Sequence, residues 1–285
     1  MRLLRIIIPI MLALTIGAYI YVLYATRHDT TPPKIACDAE KLEISVEDAE
    51  DVLLSHLKAV DAKDGDLTKK IIIENISAFL EGNEARVTFA VSDLDNNVAK
   101  LEIPVVYTDY VKPEFRMSAP LMYYVGTQNV NTTTDVTATD LIDGDLVGRI
   151  VQSRSELDLT MPGVYPVTFR TTTSKGVTSE VTVNAYVMES KFPREITLSE
   201  YLVYINPGDK IDPKSYLTDY PTDLIEGSTE NNKFALTIKD NVKYDTPGLY
   251  SISYAVIQTN KVGDTVRQTT TAQTYLNVIV RGDAA

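Results

Sequence analysis

A duplicated stretch constrains this chain more than anything else in it. The segment DAKDGDLTKKI, Asp61 to Ile71, returns as TDLIDGDLVGRI, Thr139 to Ile150, with the Asp-Gly-Asp-Leu core displaced by 79 residues. The flanks follow: ARVTFAV (Ala85–Val91) lies beneath YPVTFRT (Tyr165–Thr171). A more diverged third copy places TPGLYSISYAV (Thr246–Val256) beneath MPGVYPVTFRT (Met161–Thr171). Proline marks each border, in TPPKI (Thr31–Ile35), VKPEF (Val111–Phe115) and KFPRE (Lys191–Glu195). Proline removes an amide donor and holds its predecessor extended, so these borders read as short, stiff joints in an elongated ectodomain. The expected domains are 28–110, 111–190 and a diverged 191–285.

Within each unit, short runs rich in Val, Ile, Thr and Tyr alternate with period two: LEISV (Leu42–Val46), RVTFAV (Arg86–Val91), AKLEIPVVY (Ala99–Tyr107), SEVTVNAYV (Ser179–Val187) and TAQTYLNVIV (Thr271–Val280). Alternation means strands with one buried face. Several such strands in about 80 residues fit a β-sandwich. Helix is expected only for a turn or two within Val46–Leu57, with Asp48 as its N-cap. The expected fold class is all-β: three tandem Ig-like sandwiches after one N-terminal transmembrane helix.

That helix is read from Ile6 to Ala25, a 20-residue run without a charge, long enough to cross roughly 30 Å of hydrocarbon. Arg2 and Arg5 precede it, and the positive-inside rule then favours a cytoplasmic N-terminus, with residues 1–5 as tail and 6–27 as anchor. The expectation is a single-pass type II protein of the cell membrane with an extracellular ectodomain. A cleaved secretory signal is the competing reading, set against by the length of the run and the lack of an A-x-A site. All 39 acidic residues lie beyond Arg27, against 24 of the 27 basic ones, a balance of −15. Such a surface repels nucleic acid and anionic lipid, so the membrane is reached through the helix alone. The single cysteine, Cys37, permits no internal disulfide and reads as a small half-buried residue; the spacing of His28 and His56 suggests no dyad with it.

At these residues the chain resembles a family. DTTPPKI (Asp29–Ile35), AVDAKDGDLTKKI (Ala59–Ile71), ATDLIDGDL (Ala138–Leu146), the PGxY turns (Pro162–Tyr165 and Pro247–Tyr250) and SDLDNNVA (Ser92–Ala99) are similar to the bacterial immunoglobulin-like repeats of Gram-positive surface proteins, which are also attached to a pesticidal crystal protein. The third unit departs from the pattern, with LTDYPTDLIEG (Leu217–Gly227) in place of DGDL, and the first carries GNEARV (Gly82–Val87) in place of PGxY. The resemblance implies an Ig-like sandwich, a cell-surface setting and a role as spacer or adhesion module.

The acidic loop has two readings. Asp-Gly is a turn signal, because glycine accepts φ > 0 and an Asp side chain bonds amides two residues on. On that reading the loop is a joint, Leu67 and Leu146 drop into the core, and the next strand begins. The rival is calcium held by Asp61, Asp64 and Asp66, joined by Asp93 and Asp95, and by Asp140, Asp143 and Asp145 in the second copy. The spacing is not that of an EF-hand. With 17 Tyr and no Trp, most tyrosines read as strand and edge packing, with Tyr165 and Tyr250 as corner residues. Nucleotide-binding, metalloprotease and serine-hydrolase motifs are absent, and Arg281-Gly282-Asp283 is a three-letter match of the kind chance supplies. The expected function is a non-enzymatic stalk, adhesion or protein-interaction module with a protein or cell-wall glycan partner. The alternative is an envelope-enzyme accessory or carbohydrate-binding protein with its site in residues 191–285.

Overall fold

The structure is a computed structural model that describes residues 2–27, 29–263 and 265–282. It falls into two compact units, Met1–Tyr110 and Val111–Ala285. The chain opens with helix α1, Arg2–Arg27, so the residues expected as a tail are already helical. Within it Ile7–Tyr24 is long and apolar enough to cross a membrane, a property that signal sequences share, and none of it is buried.

The rest of the first unit is a seven-stranded sandwich. Strands β1 (Lys34–Cys37), β2 (Leu42–Ile44), β3 (Leu57–Asp61), β4 (Gly65–Asp66), β5 (Ile72–Ile76), β6 (Glu84–Ser92) and β7 (Val98–Tyr107) form sheets ordered β1-β3-β4 and β5-β6-β7-β2. The opening segment switches sheets: β1 runs antiparallel to β3, whereas β2 runs parallel to β7. Period-two residues fill the core, with Val87, Phe89 and Val91 from β6 and Ile103, Val105 and Tyr107 from the adjacent β7 all buried. The short helix α2 spans Glu50–Ser55. Asp48 does not cap it; its carboxylate accepts the Ser45 amide at 2.7 Å instead, and the preceding Ala49 offers no side-chain oxygen.

The second unit repeats this wiring twice. Strands β8 (Glu114–Met117), β9 (Met122–Tyr124), β10 (Val136–Asp140), β11 (Gly144–Asp145), β12 (Val151–Ser155), β13 (Gly163–Thr172) and β14 (Thr178–Met188) pair as β11-β10-β8 and β12-β13-β14-β9. Strands β15 (Thr197–Leu198), β16 (Leu202–Ile205), β17 (Leu217–Asp219), β18 (Asn232–Asp240), β19 (Gly248–Val262) and β20 (Thr265–Val280) pair as β15-β17 and β18-β19-β20-β16. In each case the strand after the sheet switch, β9 or β16, joins the last strand in parallel. Helix α3, Thr222–Glu226, occupies the segment that replaces the DGDL loop.

The two corner tyrosines are in place. Tyr165 and Tyr250 each donate a hydroxyl to the backbone carbonyl four residues upstream, Met161 and Thr246, at 3.0 Å. Each ring lies over the glycine of its PGxY turn; a Cβ on Gly163 would meet the Tyr165 ring at 3.1 Å. The first sandwich lacks this corner and uses Asn83, whose amide donates to the carbonyls of Tyr107 and Tyr110.

Proline at the 191–195 border suggests consecutive bodies, yet the second and third sandwiches also pack flank to flank. Tyr186 and Tyr275, on outward faces of β14 and β20, stack with ring centroids 3.6 Å apart and planes 3° apart. Beside them the Asn184 amide donates to the Asn277 side-chain oxygen at 3.0 Å. Asn277 is 1% exposed, so this contact is dry, and one apolar core runs through both sandwiches.

Candidate functional site

The two acidic loops superpose in their chemistry. Asp61 ends β3 and Asp140 ends β10, both buried, and each uses Oδ1 to accept two amides: Lys63 and Asp64 at 2.8 Å in the first loop, Ile142 and Asp143 at 2.9 and 2.8 Å in the second. Gly65 and Gly144 then turn the chain at φ +76° and +71°, where a side chain would be strained. Asp66 and Asp145 accept the amides of Thr68 and Val147 at 2.9 Å, which starts a single 3-10 turn leading to the next strand. Leu67 and Leu146 enter the core at 3% and 0% exposure, as the joint reading requires.

The middle aspartates reach across to the neighbouring hairpin. Asp64 accepts the amide of Leu94 at 2.8 Å, and Asp143 accepts the amide and hydroxyl of Ser174. The turns they meet match in shape: Asn96 at φ 68° stands where the second sandwich has Gly176 at φ 79°. Asp93 bonds the amides of Asp95 and Asn97 together with the Asn97 side chain, and Asp95 accepts the Asp29 amide.

A resident cation accompanies each loop, and the sequence reading missed both. Lys63 is bonded and ion-paired to Asp95, with Asp64 and Asp29 adding to the field that raises its pKa. Arg149 is ion-paired to Asp143 in the second loop. Burial alone would push the Asp143 carboxyl up; the Ser174 hydroxyl and amide, with the Arg149 guanidinium, outweigh it and hold the carboxyl below its ordinary value. Hydroxyl and amide donors from Thr68 likewise hold Asp66 down. The six loop aspartates are therefore spread over separate backbone amides and are not gathered around one point. Among the described residues no group of three or more His, Cys, Asp or Glu is placed to hold a metal ion.

Other candidates resolve plainly. Cys37 pairs across β1 with Leu57, while His56 Nδ1 is bonded to Asp38 at 2.9 Å; no bond joins the thiol to the imidazole among the described residues. Several tyrosines serve packing: Tyr107 and Tyr110 flank Phe79, with centroids at 5.4 and 4.8 Å. Arg281 is ion-paired to Glu114 and lies over the Tyr204 ring, while Asp283 of the same tripeptide lies outside the described residues.

No protein-family model matches the chain. It is 30% identical over 122 residues to the pesticidal crystal protein Cry22Aa of Bacillus thuringiensis, a stretch that makes up 42% of this chain and 16% of that protein. Among solved structures it is similar to a fragment of Clostridium perfringens ZmpB carrying the CBM51-2 domain with GlcNAc and INT domains, at 14% identity and TM-score 0.28, covering 60% of this chain and 42% of that one. It is also similar to Drosophila N-cadherin EC1-4, at 11% identity and TM-score 0.25, covering 88% and 76%. The fold assignment rests on the strand topology itself.

Proposed function

We propose that this chain is a membrane-anchored extracellular protein of three Ig-like repeats, related to the bacterial immunoglobulin-like repeats of Gram-positive surface proteins, and that it acts as a stalk or adhesion module without catalysis. The observation that carries this reading is an unburied apolar helix joined directly to acidic sandwiches whose loop carboxylates are committed to backbone amides. Partners would meet sheet edges such as β12 and β18, where unpaired backbone groups accept an added strand. In this reading the acidic loops hold each sandwich's strands in register, and calcium is not needed for that role.

The test is cell fractionation of full-length protein tagged at both ends. The proposal expects both tags in the membrane fraction and the C-terminal part digested when intact cells meet protease. A released product lacking residues 1–27 would replace the anchor by a cleaved signal.

A second reading, a carbohydrate- or peptidoglycan-binding protein or enzyme accessory with its site in residues 191–285, is favoured by a cavity that the border segment 191–201 lines against the second sandwich.

A further inference from the structure

The hairpin of β19 and β20 outruns its counterparts in the other two sandwiches. Phe89, Phe169 and Tyr254 are fully buried on the equivalent strands β6, β13 and β19. Pairing with the next strand stops three residues past each phenylalanine, at Ser92↔Val98 and Thr172↔Thr178, but eight past Tyr254, at Val262↔Thr265. The third sandwich carries a projecting arm.

One strand of the arm is covered and the other is not. Strand β18 accompanies β19 as far as Asn260, and the Lys261 amide then donates to the Asn231 carbonyl. On the opposite side β16 meets β20 only at Asn277–Val280, and the Arg194 amide donates to the Thr271 carbonyl. From Thr265 to Thr270 no strand lies alongside among the described residues. Thr265–Thr269 are all exposed, and Val262 and Val266 stand out at 79% and 58%.

The Lys261 bond fixes which backbone groups are free. Successive residues of an antiparallel strand turn their amide and carbonyl alternately to one neighbour and the other. Lys261 turns to β18, so its partner Val266 turns away from β19, and Gln268 and Thr270 do the same two and four residues on. Each of the three offers an amide and a carbonyl to whatever lies beside it.

A second copy of the same segment fits this edge. The last strands of the other sandwiches are protected, β7 by Pro104 and β14 by its contact with β20 through Asn184 and Asn277. The segment Thr265–Thr270, TVRQTT, has no proline, a single charge and four residues of high strand preference. Paired antiparallel with itself about Gln268, it sets Val266 against Thr270, Arg267 against Thr269 and Gln268 against its own copy. No charge then faces a like charge across the ladder. The stretch Ile257–Thr270 holds Lys261 and Arg267 against Asp264, so the arm escapes the −15 balance that drives two copies apart elsewhere.

We propose that two copies of this chain join through β20, with Thr265–Thr270 pairing antiparallel about a two-fold axis at Gln268, so that two four-stranded sheets become one. An interface this small is weak, so the dimer forms as concentration rises and dissociates on dilution.

The test combines sedimentation of the full-length chain in detergent micelles with disulfide crosslinking in a Cys37→Ser background. Gln268→Cys is expected to give a linked band of twice the mass under mild oxidation, because bonded partners lie about 5.5 Å apart at Cα, within disulfide reach. Val266→Cys, also exposed and on the same face, is expected to stay unlinked, because its two copies stand four residues apart, about 14 Å. Mixed with Thr270→Cys chains, it should link to those. Gln268→Pro removes an outward amide and no bond to β19, so it should return the chain to monomer with Tm near wild type; if Tm falls as well, the crosslinking register decides. Equal linking of Val266→Cys and Gln268→Cys with themselves, a dimer that persists in Gln268→Pro, or a chain monomeric at every concentration overturns the assignment. The second result would move the contact to helix α1 or another edge, and the third would leave this edge to a foreign strand.

Discussion

Replacing Asp140 by alanine separates a joint from a metal site. Its Oδ1 accepts two amides at 2.9 and 2.8 Å in a residue 2% exposed. Hydrogen bonds to a charged acceptor contribute about 1.5–3 kcal/mol each, and alanine strands both donors. Taking the low end for each, because the loop lies at the surface, gives a loss of about 3 kcal/mol. For a unit of this size each kcal/mol moves Tm by about 2–4 °C, so the transition of the second unit falls by about 6–12 °C. Asp140→Asn retains one oxygen in the same place and loses less. The assay is differential scanning calorimetry of the full chain, with calcium and with chelator. The joint account predicts the same loss in both buffers and no calcium dependence in the wild type. A wild-type Tm that rises with calcium, with Asp140→Ala melting like the chelated wild type, refutes it.

Three further outcomes follow from the same geometry. Tyr165→Phe removes the corner hydroxyl from the Met161 carbonyl and costs about 1 kcal/mol, whereas Gly163→Ala drives a Cβ into a pinned ring and costs about 1–3 kcal/mol; chemical denaturation of each variant reads both. Tyr275→Ala removes the ring stacked on Tyr186 and leaves the dry Asn184–Asn277 contact open to water, so the single transition of residues 111–285 is expected to split in two by calorimetry. The Asp143 carboxyl is held below its ordinary 3.8 in the folded chain, so its contribution is fully present above that value and drains away as pH falls through the lowered one; Asp143→Asn should flatten the acid limb of a Tm-against-pH curve.

Much of the scaffold was readable because it is local. Period-two runs such as Ala99–Tyr107 became β7, Asp-Gly placed the turn at Gly65, and the PGxY spacing put Tyr165 over Gly163. What escaped was set by contacts distant in sequence. Lys63 meets Asp95 across 32 residues, so nothing near Asp61–Leu67 marks it as the loop's own cation. Tyr186 and Tyr275 look like ordinary outward strand residues until two sheets bring them together. Asp48 has the residue type of a helix cap, but the helix begins two residues later and Asp48 turns back to Ser45.

The central claim, an ectodomain held outside the cell by an uncleaved helix, is tested most directly by Cys37, the sole thiol, partly exposed and ten residues beyond Arg27. Intact cells expressing the full chain are treated with a membrane-impermeant maleimide, with Cys37→Ser as control, and the labelled band is sized and sequenced from its N-terminus. The account predicts labelling without permeabilisation on a band that retains residues 1–27. Labelling only after the membrane is opened, or on a product that begins beyond Arg27, contradicts it.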